Sequence, residues 1–271
     1  MLSIEDIRSS YPAKLRGGLF TQHILKEYLQ TLVLDRISKE IVSGNLTFIG
    51  GTSLRFCHGL DRFSEDLDFD FSGRDRESLR EPFDRITKKI IKEGIDCIIE
   101  HNYKDTDNYC RIVFPDIAKK YNLPDTRKKL WIKIDIQQNR TNYTKETFFI
   151  NRFSYYYPII LPERNILFSM KAVALVSRMK ARDMYDFSFL SSKSRLDFKY
   201  IQNELKLRGF IISSPEMLKE LILQKEAETD IKEKENEISL FLMEKENKTR
   251  IITFFDYIRR LNFGELSKNG N

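Results

Sequence analysis

Three aspartates alternate with apolar residues in one short stretch of this 271-residue chain, at Asp66, Asp68 and Asp70. Alternate residues of a β-strand project to the same face, so these carboxylates would stand about 7 Å apart. Carboxylates held this close repel one another and are costly to remove from water. A divalent cation relieves both problems, and Mg²⁺ is commonly held by one or two carboxylates together with substrate phosphates. The alternative interpretation is a solvated edge strand whose charges face water.

A glycine turn precedes these aspartates. Gly50 and Gly51 follow the β-prone run Leu46–Ile49, and Thr52 and Ser53 come next, thirteen residues before the first aspartate. Glycines let a backbone approach a phosphate closely, and the first turn of a helix offers free N–H groups to an anion. We expect Thr52 or Ser53 to cap this helix and to offer a hydroxyl donor. The turn would hold a triphosphate and the aspartates would hold the metal.

The surrounding hydrophobic pattern predicts the elements that must position these residues. It indicates helices over 19–43, closed by Gly44-Asn45, and over 75–93, with strands near 95–101, 109–114 and 130–136. Pro158 and Pro162 indicate a boundary or linker, followed by helical patterns over 165–190, as one long or two short helices, and over 197–261. The fold class is therefore α+β, with a mixed β-sheet flanked by helices in residues 1–160 and a mainly helical domain in residues 161–271.

Composition narrows the class of protein. Hydrophobic residues make up 41% and charged residues 32%, which is typical of a soluble globular chain, and the net charge of +6 favours an anionic partner. Three cysteines and three histidines in no paired motif argue against a disulfide framework or a zinc site. The acidic N-terminal residues do not fit a signal peptide and no apolar run is long enough for a membrane span, so a cytoplasmic location is expected.

Together the two motifs resemble the DNA polymerase β nucleotidyltransferase superfamily. Its pattern is an apolar residue, Gly and then Gly or Ser, a short spacer, and Asp-apolar-Asp/Glu-apolar, which Ile49–Ser53 and Asp66–Phe69 match. More narrowly, Gly50–Leu54 with Arg62–Phe69 is similar to the AbiEii/AbiGii family, the toxins of type IV toxin–antitoxin and abortive-infection systems.

The resemblance implies transfer of a nucleoside monophosphate from an NTP, with Mg²⁺ or Mn²⁺ as cofactor. It implies that Asp66 and Asp68 ligate the metal, whereas Asp70 falls one step past this pair. It also implies a third carboxylate on a later strand, acting on or near the attacking hydroxyl. Asp135 is the best match, and an ordinary strand carboxylate is the alternative. Residues 1–160 would then form the nucleotidyltransferase core, and residues 161–271 would complete the NTP site.

A second cluster lies in the helical half. Lys171, Arg178 and Arg182 would share one face of a continuous helix, and Asp183 and Asp186 would be neighbours. Three cations on one face suit a triphosphate. The alternative is a surface helix with intrahelical pairs, such as one between Lys180 and Asp183.

The family resemblance extends to this cluster. The AbiEii pattern of K-x-x-A-L, then R, then R-D-x-Y-D, is matched by Lys171–Leu175, Arg178 and Arg182–Asp186. By resemblance, Lys171 is catalytic and binds NTP phosphates with Arg178 or Arg182, and Asp183 or Asp186 supports the site.

The resemblance also implies partners. The expected acceptor is the 3′ end of tRNA, and a cognate antitoxin encoded alongside is expected. A protein side chain or a small molecule such as an aminoglycoside-type antibiotic is the alternative acceptor. A non-catalytic nucleotide-binding module and a nuclease are alternative classes of protein. The intact Asp-x-Asp argues against the module, and the glycine turn, which has no clear role in a nuclease, argues against the nuclease.

Overall fold

A computed structural model describes residues 1–103, 108–123, 125, 127 and 129–267. Contacts divide the chain into two compact units, neither of which is one continuous stretch. Unit 1 contains residues 1–57, 64–139 and 146–161, and unit 2 contains residues 58–63, 140–145 and 162–271. The assignment of the nucleotidyltransferase core to residues 1–160, and of a domain that completes the NTP site to residues 161–271, remains a prediction.

Unit 1 is built on a five-stranded sheet. Its order is β1-β2-β5-β4-β3, with the strands β1 Leu46–Ile49, β2 Leu67–Phe71, β3 Ile98–Tyr103, β4 Asn108–Phe114 and β5 Leu130–Gln138. Only β2 and β5 run parallel, and the other three pairs are antiparallel. A separate two-stranded sheet joins β6 Lys145–Arg152 to β7 Tyr155–Pro162. The mixed sheet confirms the predicted α+β class.

The period-two pattern of β5 explains why the sheet has one covered and one open face. Leu130, Ile132, Ile134 and Ile136 are buried, whereas the residues between them are exposed or half-buried. The covered face packs against apolar residues of the helices, because alternate side chains of a strand point to opposite sides. Asp135 therefore lies on the open face.

The helices of unit 1 are α1 Ile4–Ser9, α2 Thr21–Ser38, α3 Gly50–Cys57, α4 Arg80–Lys92 and α5 Ile117–Lys120. The helix predicted over 19–43 ends early, and a 3₁₀ turn over Ile41–Asn45 leads into β1. Glu40 adopts an extended conformation there, and its buried carboxylate accepts hydrogen bonds from Lys89 (2.7 Å) and Arg85 (3.1 Å). A continued helix would carry Glu40 away from these α4 partners.

Unit 2 is mainly helical. Its helices are α6 Arg164–Ser177, α7 Ala181–Ser191, α8 Phe198–Lys206, α9 Pro215–Gln224, α10 Ile231–Ser239, α11 Thr249–Ile252, α12 Phe254–Arg260 and α13 Phe263–Leu266. Its core is aromatic, and the Phe187 ring lies 4.8 Å from that of Phe168 and 6.2 Å from that of Phe263, between centroids. In the part of the chain that is described, no helix is long and apolar enough to cross a membrane.

The two prolines that indicated a linker lie in a strand instead. Pro158 is an exposed residue inside β7, and Pro162 ends that strand. A two-stranded sheet tolerates proline because each strand has one edge that donates no ladder hydrogen bond. The prediction of a boundary at Pro158 was wrong, whereas Pro162 coincides with the change from unit 1 to unit 2.

Candidate active site

The glycine turn lies where β1 ends and α3 begins. Gly50 has φ +78°, a left-handed conformation, and a Cβ at this position would overlap the carboxylate of Asp68. Ile49 pairs with Asp68 in the β1–β2 register, which explains this close approach. Glycine is therefore required twice at position 50, for its backbone conformation and for the space that it leaves to an acidic side chain.

The helix begins two residues earlier than predicted, so Thr52 and Ser53 do not cap it. Their hydroxyls are used inside the unit, since Thr52 Oγ1 donates to the Asp66 carbonyl and Ser53 Oγ donates to the Gly50 carbonyl at 2.9 Å. The bond from Thr52 fastens α3 to the residue that precedes β2. What α3 can offer a phosphate is its first-turn N–H groups, which in any α-helix lack an intrahelical partner.

The predicted metal ligands meet on the open face of the sheet. Asp68 on β2 pairs with Asp135 on the parallel strand β5, which places their side chains on the same face about 4.8 Å apart along the hydrogen-bonding direction. Asp66 lies one residue before β2 rather than inside it. All three aspartates are half-buried. The later carboxylate chosen from strand context is thus the direct neighbour of the second motif aspartate.

Lys133 is the cation of this acidic cluster. Its Nζ lies 2.7 Å from Asp135 Oδ1, and the two side chains are about one-third exposed. Burial alone would lower the pKa of Lys133, but its hydrogen bond to Asp135 and the negative charges of Asp135, Asp66 and Asp68 raise it above its ordinary value. The negative charges of all three predicted ligands thus bear on the Lys133 ammonium, and Asp135 contacts it directly.

Among the described residues, no three Asp, Glu, His or Cys side chains already form a ready-made set of metal ligands. The donor chemistry nevertheless fits a hard divalent cation, because Asp68 and Asp135 present carboxylates on the same face of two adjacent strands. Asp66, Asp68 and Asp135 are the residues that could hold it.

Asp70 differs from these three. It is buried, and its Oδ1 accepts a hydrogen bond from the side-chain amide of Gln137, its register partner on β5. This internal use of the carboxylate agrees with its place one step beyond the motif.

Helix α2 supports the loop that carries the first aspartate, a role that sequence reasoning missed. Lys26 Nζ lies 3.3 Å from Glu65 Oε1, and Gln30 Nε2 donates to the Ser64 carbonyl at 3.1 Å. The same helix holds α3 through a buried cluster in which the Glu27 carboxylate binds Arg55 (2.8 Å), Arg152 (2.6 Å) and the Tyr11 hydroxyl (2.5 Å). The signal available in the sequence was a run of charged residues inside a helix that is otherwise apolar.

In unit 2 the predicted cationic helix face does not exist. Helix α6 ends at Ser177, and Met179 takes φ +44° before α7 begins at Ala181. Lys171, Arg178 and Arg182 therefore do not share one continuous helix, because the second of the two arrangements predicted for 165–190, two short helices, is the one found. The Arg182 guanidinium lies 5.0 Å from the centre of the Phe241 ring instead.

The turn between the helices nevertheless folds the other predicted residues together. Lys171 Nζ lies 2.7 Å from Asp186 Oδ2 and 3.3 Å from Asp183 Oδ1, and Arg178 Nε lies 2.8 Å from Asp183 Oδ2. Asp183 and Asp186 are 1% and 0% exposed and Lys171 is 8% exposed. The alternative of a solvated surface helix with a Lys180–Asp183 pair does not describe this cluster.

Arg62 completes the cluster and was not assigned a role from the sequence. It is 1% exposed and binds Asp186 with both arms, Nε to Oδ1 at 2.8 Å and a terminal nitrogen to Oδ2 at 2.7 Å. Burial would raise the pKa of Asp183, but Lys171 and then Arg178 outweigh it and lower that pKa to about 2. Lys171 and Arg178 thus keep the buried Asp183 ionised, and Arg62 and Lys171 form the ion pairs of the buried Asp186.

A strand, a glycine turn, a helix and an acidic strand pair make up the site expected of a nucleotidyltransferase. The family described as "Nucleotidyl transferase AbiEii toxin, Type IV TA system" matches residues 32–252, and the chain belongs to this family. The chain is therefore a nucleotidyltransferase toxin of a type IV toxin–antitoxin system, and the family implies an NTP substrate, a divalent metal and an antitoxin partner.

Solved structures show the same fold. MenT4, a nucleotidyltransferase toxin from Mycobacterium tuberculosis H37Rv, superposes with a TM-score of 0.60 at 16% identity, over 97% of this chain and 91% of that chain. A protein from H. pylori assigned as a nucleotidyltransferase gives a TM-score of 0.50 at 20% identity, over 88% of this chain and 95% of that one. Among curated proteins, none matches this chain.

Proposed function

We propose that this toxin is a Mg²⁺-dependent enzyme that transfers a nucleoside monophosphate from an NTP to the 3′ end of tRNA. The observation that carries the proposal is the pairing of Asp68 with Asp135 on adjacent strands, beside a glycine whose missing side chain makes room for Asp68. Carboxylates on adjacent strands beside the start of a helix fit a site that handles phosphate and a hard metal together.

Each residue has a separate task in this proposal. Asp66 and Asp68 hold Mg²⁺ (or Mn²⁺), which when bound neutralises charge on the α-phosphate and the departing pyrophosphate. The first-turn N–H groups of Gly50, Gly51, Thr52 and Ser53 face the phosphates. Asp135 helps to hold the metal and accepts the proton of the attacking hydroxyl. The oxygen of that hydroxyl bonds to the α-phosphorus as the bond from phosphorus to pyrophosphate breaks.

We assign the transfer chemistry to unit 1 and a supporting role to unit 2. The phosphate contact predicted for Lys171, and for Arg178 or Arg182, rests on the family resemblance. The position of Lys171 is explained by its two aspartate partners, Asp183 and Asp186. These two aspartates support the site by holding the lysine rather than by binding phosphate, which like charges disfavour.

An RNA acceptor is supported by the open face of the sheet next to Asp135. Trp131 is 42% exposed, and the Arg111 guanidinium lies 5.6 Å from the ring centres of both Trp131 and Tyr109. Single-stranded nucleic acid is commonly bound by stacking bases on aromatic rings and on guanidinium planes. The net charge of +6 agrees with a polyanionic acceptor.

The test is an incubation of the protein with each labelled NTP, Mg²⁺ and, in separate reactions, total tRNA, total protein or aminoglycosides. We expect label at the 3′ end of tRNA and a loss of more than about 100-fold with Asp68→Asn, which keeps the shape of the side chain and removes its charge. Asp70→Asn is the matched control on the same strand and should retain most of the activity. Label on protein or drug instead of RNA would redirect the acceptor assignment, and wild-type activity in Asp68→Asn would refute the site.

A further inference from the structure

We propose that Lys133 is a built-in counterion that competes with the divalent metal and thereby sets the metal affinity of the site. The proposal rests on the proposed function, because it takes Asp66, Asp68 and Asp135 to be the metal ligands. It goes beyond that function because it explains why the toxin would bind the metal only weakly when no nucleotide is bound.

The first support is the place that the ammonium occupies. Lys133 Nζ lies 2.7 Å from Asp135 Oδ1, and the charges of Asp66 and Asp68 act on the same group. Lys133 and Asp135 are two residues apart on β5, so their side chains lie on the same face of the sheet. A divalent cation that used Asp135 as a ligand would have to compete with this ammonium for the Asp135 carboxylate.

The second support is a second favourable position for the Lys133 ammonium, next to an aromatic ring. Lys133 Nζ lies 4.8 Å from the centre of the Tyr109 ring, and Tyr109 is the register partner of Asp135 on β4. An aromatic face attracts an ammonium group. The side chain can therefore leave the carboxylate and keep its contact with the ring, without leaving the open face of the sheet.

The consequence is a competition between two cations. A metal entering alone must break the Lys133–Asp135 pair and then lie close to a displaced positive charge. The triphosphate of an NTP brings negative charge that compensates both cations, so metal and nucleotide should bind more tightly together than either does alone.

The test is a titration of the nucleotide-free protein with Mn²⁺, followed by the electron paramagnetic resonance signal of free Mn²⁺. We expect Lys133→Met to lower the Kd for Mn²⁺ about two- to fivefold, the factor that a partly exposed ion pair of ordinary strength represents. Lys133→Arg keeps the charge and should bind Mn²⁺ as the wild type does. Lys88→Met is the control for lost net charge, because Lys88 is an exposed lysine of α4 in the same unit, and its Kd should stay at the wild-type value.

The possible outcomes separate this inference from the proposed function. A Kd that is equal or higher in Lys133→Met, with Mn²⁺ bound by the wild type, overturns the counterion role and leaves the metal site standing. A fall in Kd of the same size in Lys88→Met also overturns it, since any lost lysine would then suffice. If neither the wild type nor Lys133→Met binds Mn²⁺, the metal assignment itself is overturned. Binding that is detected only in Lys133→Met supports the competition.

Discussion

Gly50→Ala separates the two reasons for a glycine at the start of α3. The backbone there has φ +78°, and the left-handed conformation costs an ordinary L-residue roughly 1–2 kcal/mol. The added methyl group would also overlap the Asp68 carboxylate, so Asp68 must move. A displacement of about 1 Å of a group at the reacting centre can cost about 100-fold in rate.

Gly94→Ala is the matched control. Gly94 also has φ +78°, in the turn that follows α4, but a Cβ there would have no atom within 4 Å. Urea denaturation should therefore show a loss of unfolding free energy of about 1–2 kcal/mol in Gly94→Ala, and at least as much in Gly50→Ala, where Asp68 must also move. Only Gly50→Ala should lose most of its nucleotidyl transfer at temperatures where both variants are folded.

Two results would refute this reasoning. Wild-type transfer by folded Gly50→Ala would mean that the position of Asp68 is not critical for the chemistry. An equal loss of transfer in Gly94→Ala would mean that activity follows stability alone. Mn²⁺ titration of both variants gives an independent readout, since a displaced Asp68 should also weaken metal binding.

Two further predictions concern the ion pairs of unit 2. Arg62→Met removes one ion-pair partner of the buried Asp186 and leaves it paired with Lys171, so urea denaturation should show a loss of about 3–5 kcal/mol. Arg259→Met, at an exposed pair, should cost under about 1 kcal/mol. Equal losses would contradict the burial argument. The pKa of Asp183 is about 2 in the folded protein, against about 3.9 in the unfolded chain. Ionised Asp183 therefore stabilises the fold by roughly 2 kcal/mol above about pH 4, and this stabilisation is lost as the pH falls towards 2. The difference in unfolding free energy between wild type and Asp183→Asn should shrink over that range, and a constant difference would argue against a depressed pKa.

The strands of unit 1 were readable because their pattern is local. Alternating apolar and polar residues along 130–136 predicted β5, and the predicted strand near 109–114 coincides with β4. Asp135 was chosen from this strand context, and the structure places it on the open face, paired with Asp68. Short-range periodicity is enough here, because one face of the sheet is buried and the other is not.

Helix ends and long-range pairs were not readable. The start of α3 is fixed by Gly50 packing against Asp68 and by Thr52 binding the Asp66 carbonyl, contacts that depend on the β1–β2 register. The pair between Arg62 and Asp186 spans 124 residues, and no local pattern reports it. The pairing of Lys133 with Asp135 could not be predicted, because a lysine on an alternating strand usually faces solvent. Only the distance between the two side chains in the structure shows the ion pair.

The route of the chain between the two motifs limits how this toxin can be divided. His58–Phe63 belongs to unit 2, although the residues on either side of it belong to unit 1. A fragment of residues 161–271 would lack Arg62 and would leave Asp186 with fewer cations in its core, while residues 1–160 would retain an arginine whose partner had been removed. Residues 58–63 of the spacer between the glycine turn and the acidic strand are thus a structural part of unit 2. Shortening the spacer should be tolerated far less well than shortening a surface loop of the same length.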